Sequence, residues 1–301
     1  MDERADADTM FSPRRWFLGD DGTVRPLWRS LLFIVLSVSL YYLIAPAMYS
    51  VTKILPKALA WPLRSVALCG AFLLESWLLL AVFDRRSFRT LGLWFFAGWG
   101  REFARGVAVG GALIGGAVLA MVAARSVTYH AFSPEEMTGV LTWAVILLLA
   151  SAWEEITFRG YGMQRLIEAV GEPGGVLVFS ALFAAVHMAN PGSTTLSAVN
   201  TFLAGVLLSL AYLKTRALWL PIGLHWSWNF LMGQVFSLPI SGLNFAPRLF
   251  KAEVSGPDWI SGGSYGPEGS IVLTVVCILA ILWMGQTKAI SPSPAMEEGL
   301  E

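Results

Sequence analysis

Cysteine is nearly absent: Cys69 and Cys277 both sit inside apolar runs, and neither has a CxxC or zinc-type spacing. The chain therefore lacks a disulfide framework, and both thiols read as small buried hydrophobes. Charge is also scarce. Asp, Glu, Lys and Arg make up 14% of the residues, against roughly 25% in soluble domains. The 21 basic residues balance 21 acidic ones, so no net charge draws nucleic acid, and only the distribution of charge carries information. Histidine occurs three times, at His130, His187 and His225, and no HExxH motif is present, which removes the strongest local sign of a zinc protease helix. What remains is apolar: 55% of the residues are hydrophobic and 13 are Trp. Lipid is the expected solvent.

The start of the chain carries Pro13-Arg14-Arg15-Trp16-Phe17-Leu18, which looks like a twin-arginine export signal. Its continuation argues otherwise, because Asp20 and Asp21 follow and the first apolar segment has full spanning length. Residues 1–27 are expected to be a cytoplasmic arm, 28–287 a single helical membrane domain, and 288–301 a cytoplasmic tail. A crossing helix needs about 20 apolar residues. On that criterion spans are expected near 28–50, 63–83, 104–124, 138–158, 174–190, 196–213, 218–237 and 270–287. The fold class is an all-α polytopic bundle of about eight transmembrane helices. With an even count and both termini inside, fifteen of the 21 basic residues fall on the cytoplasmic side, as the positive-inside rule requires.

Within the third expected span, Gly106, Gly110, Gly111 and Gly115 form two overlapping GxxxG pairs, which predict close helix approach in lipid. Residues 238–269, rich in Gly, Pro and Ser, are expected to form an external loop that dips back toward the membrane.

Ionisable groups inside spans are costly and mark functional candidates. They are Glu75, Glu154, Glu155, Arg159, His187 and His225, with Asn200 and Asn229 as notable amides. Glu75 stands alone and suits a polar packing contact, and His130 suits a surface position. On a helix, Glu155 and Arg159 at i, i+4 can pair, while Glu154 is rotated about 100° from Glu155 and is free to face another neighbour. If the fourth and fifth spans form a hairpin turning near Gly171–Gly174, Glu154 and His187 fall at similar depth. That geometry requires the stretch from Arg159 to Glu172 to extend beyond the membrane as an amphipathic helix. His225 and Asn229, again at i, i+4, project from one face of the seventh span.

A carboxylate with such donors suits addition of water to a carbonyl. Glu154 serves as general base with His187 orienting the water, and His225 and Asn229 stabilise the oxyanion. The competing chemistry makes Glu154, His187 and His225 ligands of zinc, because two histidines with one carboxylate is an accepted zinc set.

The series Glu154-Glu155-x-x-x-Arg159, Phe183-x-x-x-His187 and His225-x-x-x-Asn229, in this order on successive membrane helices, resembles the CAAX protease and bacteriocin-processing (CPBP, or Abi) family of intramembrane proteases. The similarity is most specific over about 135–235. The stretch Ser261–Gly269 before the last span also looks like that of many bacterial members. The resemblance implies an eight-helix endopeptidase opening to the cytosolic side of a bacterial inner membrane. It implies that Glu154 and His187 activate water, that His225 and Asn229 form the oxyanion hole, and that Glu155, Arg159 and Phe183 support them. Members have been described both as metalloproteases and as metal-independent glutamate proteases. The expectation here is no cofactor, with zinc as the alternative. The implied partners are the bilayer and a peptide or membrane-protein substrate, lipidated or not. Two other classes stay open: a proton-coupled transporter, which also places Glu, His and Asn at its midplane, and a non-catalytic membrane scaffold.

Overall fold

The computed structural model describes residues 16–298. Arg4, Arg14, Arg15, the rest of the arm before Trp16 and the last three residues of the tail lie outside the described residues. Eight helices of twelve residues or more stand where the eight apolar runs are: α1 Pro26–Thr52, α2 Lys57–Leu79, α3 Trp99–Ala123, α4 Met137–Arg159, α5 Tyr161–His187, α6 Thr195–Thr215, α7 Trp219–Phe230 and α8 Ile271–Gln286. Among the described residues, five helical stretches are long and apolar enough to cross a membrane: Pro26–Thr52, Leu59–Asp84, Trp99–Ala123, Pro134–His187 and Thr195–Thr215. The fourth contains both α4 and α5, and Ile271–Gln286 is a shorter apolar helix. The chain is an all-α polytopic membrane protein.

Local signals set several helix ends. Pro26 occupies the first turn of α1, where its missing N–H costs nothing. Thr194 and Ser197 close a capping box at the start of α6, satisfying two backbone donors there. Gly106 and Gly110 of α3 lie directly on α7. A Cβ on Gly106 would meet Leu224 N at 2.8 Å and Gly223 Cα at 3.1 Å, and one on Gly110 would collide with Leu224 O and Ser227 Oγ. Of the two GxxxG pairs, this one makes the close approach, whereas Gly115 faces open space. Tight α3–α7 packing fixes the helix that carries His225 and Asn229.

The passage from α4 to α5 differs from the sequence expectation. The turn expected near Gly171–Gly174 is preceded by a second break at Gly160, whose backbone is non-helical. Gly171 has φ 81° and ψ 168°, a conformation that only glycine adopts without strain. Beyond it α5 folds back sharply, since a Cβ on Gly175 would lie 3.3 Å from Ile167 N. The arm from Tyr161 to Leu166 is buried, rather than projecting as an amphipathic helix. Its polar groups find partners inside the protein. The Asp84 carboxylate accepts from Arg29 Nη1 at 2.6 Å, Arg165 Nη1 at 2.7 Å and Tyr161 Oη at 2.7 Å, and Ser30 Oγ donates to Gly162 O at 2.9 Å. Two cations and a phenol around one carboxylate let this arm pack against α1.

At the opposite end, β1 Val127–Phe132 and β2 Phe250–Val254 form an antiparallel ribbon. The expected loop over 238–269 therefore contains a strand and a helical turn at Asp258–Ser261. His130 is exposed on β1 and lies 2.9 Å from Glu253 Oε2 on β2. Glu75, buried on α2, accepts from Ser37 Oγ of α1 at 2.9 Å, a polar packing contact between helices.

Candidate active site

α4, α5 and α7 bring three ionisable groups to one point. His187 Nε2 lies 3.9 Å, and His225 Nε2 3.8 Å, from the same oxygen, Glu154 Oε2. That oxygen is shut off from the surface and accepts no hydrogen bond from the protein. A buried carboxylate oxygen without a donor is unfavourable, and Glu154, His187, His225 and Asn229 all line one cavity of about 1000 Å³. Asn229 sits one turn beyond His225 on α7, as the i, i+4 spacing requires.

The groups behind these atoms set their tautomers. His187 Nδ1 is 2.7 Å from Phe183 O. A carbonyl only accepts, so Nδ1 carries a proton, and Nε2 is the nitrogen turned toward Glu154. His225 Nδ1 is 2.7 Å from Glu155 Oε1, so this nitrogen is also protonated toward an acceptor. His225 Nε2 can then donate into the cavity only when the ring is an imidazolium.

Glu155 is held in turn by Arg159, whose Nη1 donates to the same Oε1 at 3.0 Å. Both side chains are fully buried. Arg159 Nη2 donates to Gly205 O at 3.0 Å and Nε to Ser209 Oγ at 3.5 Å, both on α6. These acceptors explain why Arg159 lies inside the bundle. Phe183 wedges between the layers. Its ring centroid is 4.5 Å from that of His187 and 6.1 Å, edge-on, from that of His225, and Arg159 Cζ lies 4.6 Å from it.

The Glu155–Arg159 pair follows from helix spacing. The Glu155–His225 bond does not, because 70 residues separate the two and nothing local signals it. Glu268 is a second residue that sequence reasoning left without a role. It accepts from Trp228 Nε1 at 3.2 Å and from Ser241 N and Oγ at 2.7 Å, tying the loop after α7 to the residue beside Asn229. Asn200 supports that loop by donating to Glu268 O at 2.9 Å and Ser270 O at 2.8 Å.

Zinc binds His and carboxylate donors at about 2.0–2.2 Å, so donors on a shared tetrahedral ion stand roughly 3.4 Å apart. The 3.8 and 3.9 Å separations here exceed that spacing, and no group of three His, Cys, Asp or Glu side chains among the described residues is placed to hold a metal ion.

Residues 136–231 match the model of the Rce1-like family, described as type II CAAX prenyl endopeptidase Rce1-like. The matched segment contains α4 to α7 and hence Glu154, His187, His225 and Asn229. No curated protein and no solved structure matches the chain.

Proposed function

We propose that this chain, whose residues 136–231 match the type II CAAX prenyl endopeptidase Rce1-like family, hydrolyses peptide bonds of membrane-associated or lipidated substrates by a metal-free, glutamate-activated water mechanism. The observation that carries the reading is the convergence of both imidazole Nε2 atoms on Glu154 Oε2. Water held between Glu154 and the His187 Nε2 lone pair gives a proton to Glu154 as its oxygen attacks the scissile carbonyl carbon. Charge moves to the carbonyl oxygen, where His225 Nε2–H and Asn229 Nδ2–H donate to it, a role worth about 3–4 kcal/mol per donor. The protonated Glu154 then delivers that proton to the departing amine as the carbon–nitrogen bond breaks. Neither a serine nor a cysteine nucleophile is needed.

Phe183 and the Glu155–Arg159 pair act on the imidazoles, not on substrate. Glu155 keeps the proton on His225 Nδ1 and balances the charge that Nε2 needs to donate. The mostly apolar cavity, lined by every long helix except α3, supports a substrate that is itself apolar. A multi-pass placement in a bacterial plasma membrane with both termini cytoplasmic is supported by the bias of basic residues. It is supported too by the gathering of Arg29, Arg86, Arg165 and Arg216 at the Asp84 end of the bundle.

The test is cleavage of a panel of internally quenched peptides, lipidated and unlipidated, by the purified protein with and without a chelator, beside Glu154→Ala. Cleavage that survives the chelator and is lost in the variant supports the mechanism. Loss in the chelator restores the zinc reading, and activity in Glu154→Ala overturns the site.

A further inference from the structure

The cavity that Glu154 opens onto extends along α2 and α4 and has a single arginine or lysine among its lining residues, Arg64. Arg64 is built into its place. Its Nε donates to Thr52 Oγ1 at 2.5 Å, and its guanidinium lies 4.9 Å from the Tyr49 ring centroid and 5.6 Å from that of Trp61. The one hydrogen bond uses Nε, and the two rings lie against Cζ. Neither Nη donates to protein, and Arg64 forms no ion pair, among the described residues. A guanidinium positioned by a hydroxyl and two rings, with its paired Nη donors left over, has the fork geometry that takes a carboxylate in two hydrogen bonds.

Its distance from the reacting groups follows from helix packing. α2 and α4 run side by side in the same direction, with Trp61 on Trp143 at 5.9 Å, Cys69 Sγ 3.2 Å from Leu149 O, and Phe72 on Trp153 at 5.7 Å. Arg64 is eight residues before Phe72, and Glu154 follows Trp153, so the two levels are roughly 12 Å apart along the helices. An extended peptide advances about 3.3 Å per residue and covers that distance in about four residues. Between the two levels the lining on these two helices is apolar apart from Ser65, with Leu68, Phe72, Ile146, Leu147 and Ala150.

We propose that Arg64 is a specificity residue that binds a carboxylate of the substrate peptide about four residues from the bond that is cut. The carboxylate is either the free C-terminus or an Asp or Glu side chain, and the apolar residues between it and the scissile bond lie along α2 and α4. This inference rests on the proteolytic reading of the site.

Binding is measured first, so that the outcome does not depend on turnover. The full-length protein carrying Glu154→Gln is placed in phosphatidylcholine nanodiscs and titrated with fluorescent apolar dodecapeptides of one sequence. One peptide ends in a free carboxylate, one in an amide, and a set of amides carries a single Glu moved stepwise along the chain. At least one carboxylate peptide is expected to bind tenfold or more tightly than the neutral amide. That preference is expected to collapse in Arg64→Gln, to be retained in part by Arg64→Lys, and to turn toward a Lys-bearing peptide in Arg64→Glu. The position of the favoured carboxylate tells the C-terminus from a side chain. Equal binding of all peptides, or a preference that survives Arg64→Gln, overturns the proposal and leaves Arg64 as an interfacial anchor. Cleavage of the same peptides by the protein with Glu154 intact is the separate readout: cleavage without carboxylate preference sinks Arg64 alone, whereas carboxylate-dependent binding without cleavage of any peptide sinks the proteolytic reading.

Discussion

Replacing Glu155 by glutamine removes a charge from a place where two groups depend on it, and the two losses can be separated. Glu155 Oε1 accepts from Arg159 Nη1 at 3.0 Å and faces His225 Nδ1 at 2.7 Å, with both Glu155 and Arg159 fully buried. Without the carboxylate, Arg159 is an uncompensated interior cation, and breaking such a pair costs about 3–5 kcal/mol of stability. His225 also loses the acceptor that favours its imidazolium, and with it the Nε2 donor. The loss of one oxyanion donor lowers kcat roughly 10²–10³-fold. The double variant Glu155→Gln/Arg159→Gln removes both charges and is expected to recover most of the lost thermal stability while kcat stays low. The assay is thermal unfolding in nanodiscs beside steady-state cleavage of one quenched peptide, with KM and kcat reported separately. If the double variant regains kcat along with stability, the carboxylate serves the fold alone and the argument about His225 fails.

Asn229→Ala is expected to lower kcat by a comparable factor with little change in KM, because its amide acts only on the developing oxyanion; a pure KM effect would make it a binding residue. Gly106→Leu places a side chain where even a Cβ would meet Leu224 N at 2.8 Å. It should destabilise the α3–α7 contact by more than the roughly 1–3 kcal/mol of ordinary overpacking, and an unchanged unfolding temperature would contradict the close approach. Glu268→Gln exchanges an acceptor of three hydrogen bonds for a weaker one. Faster amide exchange over 238–243 is the expected result, and unaltered exchange would show that the loop is held by other contacts.

The positions of the helices were readable because each needs a long apolar run, and few residues interrupt those runs. The meeting of Glu154 and His187 was also within reach, since equal numbers of residues on either side of a hairpin place side chains at equal depth. Between Arg159 and Leu166 the local sequence is misleading. Local polarity there reads as a segment in water, whereas Asp84, Gly205 and Ser209, each at least 40 residues away, supply the partners that allow burial. The same limit hid the Glu155–His225 bond and the clamp made by Glu268. The β-ribbon had a weak local signal in Val127-Thr128-Tyr129, whose residue types favour strands. Its partner strand lies more than a hundred residues on, inside a segment that reads as loop.

The most direct test of the central claim is Glu154→Gln, which keeps the shape of the side chain and removes its ability to accept a proton from water. Measured as kcat/KM for a cleaved peptide in the same nanodiscs as the parent protein, with matching unfolding temperatures, the account predicts a loss of about 10³-fold or more. Retention of a tenth or more of the activity by a folded Glu154→Gln protein would contradict it.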